Sequence, residues 1–579
     1  MIEDISVMVA GQAGDGVLFT GNVLAKILKK EGWNVQTYRY FPSNIRGEAT
    51  QYTVRASHKK VFGRANAVDI LISFDCESIL RHTDKLAEGG IVLCDGEELS
   101  LLKPVHKKGK TFHKFPLRVL ARHHFKDEIF KNMIALGALI HILGLDFRTV
   151  ERVIVDTFLK RKGKDIVRKN IEAINLGCEN AKKIVDPRES RPLVKRKDLK
   201  KMFITGDEAI AVGAVAAGCR FFAAYPICPA TEIWQWLASH FPEFGGIVVQ
   251  TEDELSAIHE ALGASYAGAR AMTSTSGPGG ALMMEAFGLA GMAEIPIVIA
   301  HVQRVGPSTG MPTKSEQSDL NLWVYGSHGE FPRIVLSPGT IDECFDMTVK
   351  AFNLADKYQC PVIVLTEQDY GQNYRTVNTF NLSRVRIDRG KLLEPGDLQA
   401  GKEYKRYAFT ADGVSPRALP SMTHGVHMVE GNEHDEKGFR DEDPQNRIKM
   451  MDKRMKKLRK MKKDLIPSRL WGDKNAEIGI IGFGSTLGAI VEAQEELRAE
   501  KIETKYLQIR TLWPFPKNEA ENFIRTGRHI FVVENNYTGQ LHDLIRAHVQ
   551  VPFPLHKILN ASSLTFRPVE ISSQISGVL

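Results

Sequence analysis

The chain has 579 residues, room for roughly three or four domains. It is 43% hydrophobic and 25% charged, ordinary for a globular protein, and its most apolar stretches (209–219 and 295–302) are too short to span a bilayer. The formal charge of +8 is local: residues 447–463, RIKMMDKRMKKLRKMKK, hold ten Lys/Arg against one Asp, so the rest is close to neutral and no nucleic-acid partner is expected.

The first segment, 1–185, opens with MIEDISVMVAGQAG, whose acids precede the apolar run, unlike a secretory leader. A cytoplasmic location is the default expectation. ISVMVA reads as a strand, GQAGDGV as a loop, 18–31 as a helix, and NVQTYRY, VDILISF and GGIVLCD as further strands. Strands alternating with helices predict a parallel, doubly wound α/β sheet. Residues 186–200, DPRESRPLVKRKDLK, form a polar linker.

A second αβ domain is expected over 201–385, with strands CRFFAAY, GIVVQ, ARAMTST and IPIVIAHVQ between helices. Residues 386–470 lack strand periodicity and form a connector. Its basic run should be an amphipathic helix, packed through Ile448, Met451, Met455, Leu458 and Leu465. A third αβ domain, 471–579, is built on EIGIIGFGST, TKYLQIRTLWPFP and HIFVVENN.

Seven cysteines, with no C-x-x-C pair, argue against a disulfide framework or an iron–sulfur cluster on this chain. Four unusual loops follow the strands of the 201–385 domain: YPICPAT, TEDE, SGPGG and RVGPSTGMPT. Ligands of open parallel sheets bind beyond the carboxyl ends of the strands, so these loops should converge. Gly277, Gly279 and Gly280 remove side chains where a ligand can approach backbone. Glu252 reads either as a first-turn acid favoured by the helix dipole or as a proton-handling carboxylate. Arg304 ends an apolar strand and needs an anion: a structural Asp or a substrate carboxylate. His259 and His301 read as packing or surface residues.

Two decoys precede the site. Gly14-Asp15-Gly16 with Asn44 imitates a metal–diphosphate motif, but the expected strand ends before Gly11 and YFPSN is a proline turn. The spacing of Gly11, Gly14 and Gly16 is not G-x-G-x-x-G, and no acid ends the next strand as a dinucleotide site needs. A phosphate-facing role for these three glycines, toward coenzyme A, stays open.

In sum of motifs, the chain resembles the α subunit of the 2-oxoacid:ferredoxin (or flavodoxin) oxidoreductases, in the form with a γ domain fused ahead of it. The resemblance rests on GQAGDGV, YFPSNIRGEATQYTVR and MIALGAL, then GDEAIAVGAVAAG, YPICPAT, QTEDELSAIHEALGASYAGARAMTSTSGPG and QRVGPSTGMPTKSEQSDL, then SPRALP, GNEHDEKG and LQIRTLWPFP, and covers nearly the whole chain. It implies a γ-type domain over 1–185, a thiamine diphosphate pyrimidine-binding domain over 201–385 and a transketolase C-terminal-like domain over 471–579. It also implies a β subunit carrying the diphosphate half, Mg2+ and a [4Fe–4S] cluster, in an αβ or (αβ)2 assembly. Coenzyme A would be the cosubstrate, and ferredoxin or flavodoxin the acceptor. By the same resemblance Glu252 is the pyrimidine glutamate, and Arg304 and Thr313 contact the substrate carboxylate. Tyr225, Pro226, Gly277 and Pro278 line the cofactor. Cys228 stands where the family usually has a threonine, and a thiol is the poorer hydrogen-bond donor. Near-isosteric drift, altered substrate choice and a redox-sensitive thiol are three readings of it. The fused γ domain and GNEHDEKG favour the 2-oxoglutarate type. A non-catalytic scaffold subunit and a self-sufficient thiamine enzyme are the rival readings.

Overall fold

The computed structural model describes residues 2–43, 47–95, 109–197 and 200–579. Asn44 of the decoy motif lies outside the described residues.

The chain forms two compact units. The first comprises Met1–Ile204, Asn373–Thr379 and Arg567–Val569. Its sheet runs in the order Thr111–Lys114, Leu86–Cys94, Val68–Ser73, Asp4–Gln12, Ala49–Ser57, Asn34–Tyr40, Arg375–Val377, Met202–Ile204. The first four strands are parallel. Ala49–Ser57 is antiparallel to both Asp4–Gln12 and Asn34–Tyr40, so the sheet is mixed, not wholly parallel as expected. The segment ATQYTVRAS, with Thr50, Tyr52, Thr53 and Val54 of high strand propensity, lies between two strands, a pairing invisible from either strand alone. The strand at Asp4–Gln12 is buried almost throughout and extends past Gly11, correcting its expected end.

The helix Val17–Lys30 follows Gly14 (φ 102°) and Gly16 (φ 83°), conformations that favour glycine. Behind the sheet, Lys131–Leu143 packs on Phe147–Ile184, a long helix broken at Gly163 (φ 80°). Gly137 and Gly177 lie so close to the carbonyls of Ile174 and Ile134 that no side chain would fit.

The second unit comprises Thr205–Gln372, Phe380–Phe566 and Glu570–Leu579. Its first helix, Gly206–Ala216, starts on a capping box between Thr205 and Glu208. Met202–Ile204 and Arg375–Val377, expected within the middle domain, instead pair with each other in the sheet of the first unit. The larger sheet here is ordered Thr511–Trp513, Ile334–Leu336, Pro361–Glu367, Ile297–Gln303, Arg270–Thr275, Cys219–Ala224, Ile247–Gln250. A five-stranded sheet, Arg469–Gly472, Thr504–Gln508, Ile478–Gly482, His529–Glu534, His556–Leu559, holds the C-terminal strands. The two sheets were expected in separate domains, yet they share a core in which Ile299, Val335 and Leu365 join Ile481, Phe483 and Leu512. Thr511–Trp513 also pairs antiparallel with Ile334–Leu336.

The basic run does form a helix, Pro444–Met461, capped by Asp443. Its buried face is not the expected Met/Leu stripe. Met450, Lys453, Arg454, Lys457 and Met461 face inward, while Ile448 is 55% exposed. Lys453 and Lys457 both bond the buried Glu294, and Arg454 meets Glu433 at 2.6 Å. Burial alone would raise the Glu294 carboxyl, but the two ammonium groups hold it well below the usual range. Burial in turn lowers Lys453 to about 8.

Candidate active site

The strands Ile247–Gln250, Cys219–Ala224, Arg270–Thr275 and Ile297–Gln303 are parallel neighbours, with Ala224 beside Gln250 and Thr275 beside His301. The four unusual loops therefore leave one edge of one sheet, as expected.

The turn after Cys219–Ala224 puts Tyr225 outward, at 41% exposure, with Pro226 and Cys228 half-buried and the Cys228–Pro229 peptide cis. Burial pushes the Cys228 thiol up, Glu232 and Asp207 add to this, and Arg304 and a hydrogen bond with Gln372 oppose it. A raised thiol is a poor nucleophile, which disfavours the redox-sensitive reading.

Arg304 is buried, and its Nη1 donates to the Cys228 carbonyl at 2.8 Å. Its Nε is buried without a hydrogen-bond partner, and no ion pair engages the guanidinium among the described residues. Burial lowers its pKa, against the pull of Cys228, Asp319 and Glu254. A fixed cation with an unused donor suits a carboxylate supplied from outside.

The two glutamates of TEDE occupy different environments. Glu252 is exposed in the bend before the helix Glu254–Tyr266, and Asp253 is the residue that caps that helix, accepting from Ser256 N at 2.7 Å. Glu254 is only 5% exposed, and burial pushes its carboxyl up. A methyl group at Gly279 would lie 2.5 Å from Glu254 Oε1 and collide with Thr275 Oγ1, so the glycine loop passes directly over this carboxylate. Gly280 leaves similar room for His301, 2.9 Å from its missing Cβ, whereas Gly277 meets nothing closer than Asp319 at 3.6 Å. Gly277 and Pro278 open the short helix Gly277–Leu282. His301 is a core residue, as expected; its Nε2 lies 2.8 Å from Asp319.

Thr313 is buried, and its hydroxyl accepts from Lys314 Nζ at 3.2 Å. Sequence reasoning missed Lys314, Asp319, Gln317 and Glu367. For the first three, the run TKSEQSD gave the clue, a string of polar residues following an apolar strand. Glu367, at the end of Pro361–Glu367, accepts from Gln317 Nε2 at 2.7 Å and from Ser485 N at 3.1 Å. Complete burial raises it to about 8.

In the first unit, Gly14 and Gly16 border a cavity of about 630 Å³ walled by Phe19, Phe130 and Phe158, and Gly11 sits behind it against Phe74. Lys131 at its rim is held by Asp15 at 2.7 Å.

Comparison with known proteins gives this arrangement a family. Residues 212–453 match the model described as pyruvate flavodoxin/ferredoxin oxidoreductase, thiamine diphosphate-binding. Residues 6–180 match pyruvate ferredoxin/flavodoxin oxidoreductase, and 476–566 match pyruvate:ferredoxin oxidoreductase core domain II. The chain is 33% identical to subunit alpha of 2-oxoacid:ferredoxin oxidoreductase 1 from Sulfurisphaera tokodaii, over 94% of this chain and 93% of that one. The chain belongs to the 2-oxoacid:ferredoxin oxidoreductase α subunits. As a member of that family it is an oxidoreductase with a thiamine diphosphate-binding domain. It is also 35% identical to the 2-oxoglutarate synthase subunit KorA of Methanothermobacter marburgensis, over 65% of this chain and 98% of that one. A solved 2-oxoglutarate:ferredoxin oxidoreductase from Magnetococcus marinus superposes with a TM-score of 0.92 at 34% identity, covering both chains fully; that structure holds 2-oxoglutarate, coenzyme A and succinyl-CoA. Among the described residues of this α subunit, no helix is long and apolar enough to cross a membrane.

Proposed function

We propose that this chain is the α subunit of a 2-oxoglutarate:ferredoxin oxidoreductase. It would turn a 2-oxoacid and coenzyme A into acyl-CoA and CO2, passing electrons to ferredoxin or flavodoxin. The observation that carries the reading is the buried Arg304 with its unused Nε, facing the same sheet edge as the buried Glu254. The substrate preference leans on the Magnetococcus marinus and KorA likenesses.

Thiamine diphosphate, when bound, supplies the carbon nucleophile that lets the 2-oxoacid lose CO2. The residues present fit its pyrimidine in that Gly279 leaves room for the Glu254 carboxylate, which any side chain at that position would displace. Glu254, rather than Glu252, is the residue we assign to the pyrimidine. Burial raises its carboxyl, which would suit it to share a proton with a ring nitrogen of the bound pyrimidine. Glu252 lies in the exposed bend and is left without this role. Arg304 orients the substrate carboxylate, with Thr313 beside it and Cys228 lining the turn. Tyr225, Pro226, Gly277 and Pro278 shape the cofactor's path. The three glycines of 11–16 remain our candidates for a phosphate of coenzyme A. The diphosphate half, Mg2+ and a [4Fe–4S] cluster would come from a β subunit in an αβ or (αβ)2 assembly, and 1–185 is proposed as the γ-type domain on the same footing.

Co-purification with β from the native host, then coenzyme A-dependent viologen reduction with 2-oxoglutarate, pyruvate, branched-chain and aryl 2-oxoacids, tests this. Turnover on 2-oxoglutarate is expected; a stable complex preferring another 2-oxoacid would overturn the substrate assignment.

A further inference from the structure

Two of the seven cysteines meet outside the site described above. Cys76 Sγ and Cys94 Sγ are 3.6 Å apart. Cys94 ends the strand Leu86–Cys94 and is buried; Cys76 follows the neighbouring strand Val68–Ser73 and is half-buried. The two strands are parallel, with Ser73 paired to Cys94, so the backbone itself delivers both thiols to one spot. The local turn is firmly built: Ser73 Oγ donates to the Asp75 carbonyl at 2.6 Å, and Asp75 accepts from Ser78 N at 2.6 Å. A disulfide needs the sulfurs to approach to about 2.05 Å, a short closing movement from contact distance.

We propose that Cys76 and Cys94 form a reactive dithiol that a peroxide closes to a reversible disulfide. The half-buried Cys76 is the thiol a small oxidant reaches. Its sulfur attacks one peroxide oxygen, the O–O bond breaks, and Cys76 sulfenic acid and water result. The Cys94 sulfur then attacks the Cys76 sulfur, the S–O bond breaks, and the departing hydroxide leaves as water with the Cys94 proton. Two thiols and one hydrogen peroxide thus give one disulfide and two waters. Cys94 does not lead this sequence because it is buried away from the oxidant; in contact with Cys76, it is placed to resolve the sulfenic acid. The pair also bears on its surroundings. Phe74, in the turn that carries Cys76, donates its N–H to Ala10 O at 2.9 Å and lies under Gly11. Closing the disulfide pulls on the turn that supports the glycine loop.

The sequence makes the test direct, because trypsin separates the two cysteines into peptides 65–81 and 86–107. The full chain, with any subunit that purifies with it, is treated with one equivalent of hydrogen peroxide, alkylated, digested and analysed by mass spectrometry. The expected result is a cross-link between those peptides, with loss of alkylation at both cysteines in a one-to-one ratio, reversed by dithiothreitol and absent in Cys76→Ser. In Cys94→Ala, Cys76 should stop at the sulfenic acid and be trapped by dimedone. Oxidation of Cys76 to sulfinic acid in the wild type without the cross-link, or oxidation of the other cysteines while this pair stays reduced, overturns the proposal.

Discussion

A guanidinium that is buried, bonded to one carbonyl and paired with no carboxylate carries an unsatisfied cost of desolvation. Arg304 recovers that cost when an anionic substrate arrives, so its substitution should appear in substrate binding first. Arg304→Lys keeps the charge but loses the planar fork; KM for the 2-oxoacid should rise roughly 10–100-fold, with kcat changed less. Steady-state kinetics over a range of 2-oxoacid concentrations checks this, and an unchanged KM would remove Arg304 from the substrate. The glutamate pair gives a sharper contrast. Glu254→Gln should lower kcat by roughly 10²–10⁴-fold, the span of general acid–base groups, whereas Glu252→Gln should stay within about threefold of wild type. The reverse order would return the pyrimidine contact to Glu252.

At the scale of elements, the helix Pro444–Met461 shows what periodicity reveals and what it leaves open. Its existence was legible from residue spacing. Its buried face was not, because two carboxylates decide it, and one of them, Glu294, lies 159 residues before Lys453. Pairing brought Lys453, Arg454 and Lys457 inward and left Ile448 outside. Glu294→Gln should therefore be destabilising by about 3–5 kcal/mol, since two ammonium groups would remain buried without their anion. Ile448→Ser should change stability by less than about 0.5 kcal/mol. Denaturant unfolding of the three proteins distinguishes this from a helix held by its Met/Leu stripe. The mixed sheet of the first unit follows the same logic. Four of its strands were readable, but Ala49–Ser57 was not read as one, and its antiparallel insertion is a long-range pairing that no local pattern encodes. The converging loops were legible because parallel topology places every strand's carboxyl end on one edge. Which of Glu252 and Glu254 points inward was not, because that depends on where the helix begins, and Asp253 moves its start by two residues.

At the scale of the whole molecule, the second unit is one body because its two sheets share a core and a polar joint. Gln317 is central to the joint: it donates to Glu367 and to the Phe483 carbonyl, and accepts from Asn535 N at 2.9 Å. Glu367 in turn accepts from Ser485 N, so one buried carboxyl ties the end of the larger sheet to the loop after Ile478–Gly482. Burial raises Glu367 to about 8, against 4.5 for an ordinary glutamate. Between those values the folded state keeps a proton that the unfolded chain has released. Stability from this group is therefore fully present below about pH 4.5 and declines as pH rises to about 8, by up to about 1.4 kcal/mol per pH unit. Glu367→Gln is neutral at every pH and lacks the decline. The stability of wild type relative to this variant should fall steadily from pH 5 to pH 8 and then level off, as measured by denaturant midpoints across that range. A constant difference would mean that the carboxyl is ionised throughout, and that the joint is held as an anion by Gln317 and Ser485.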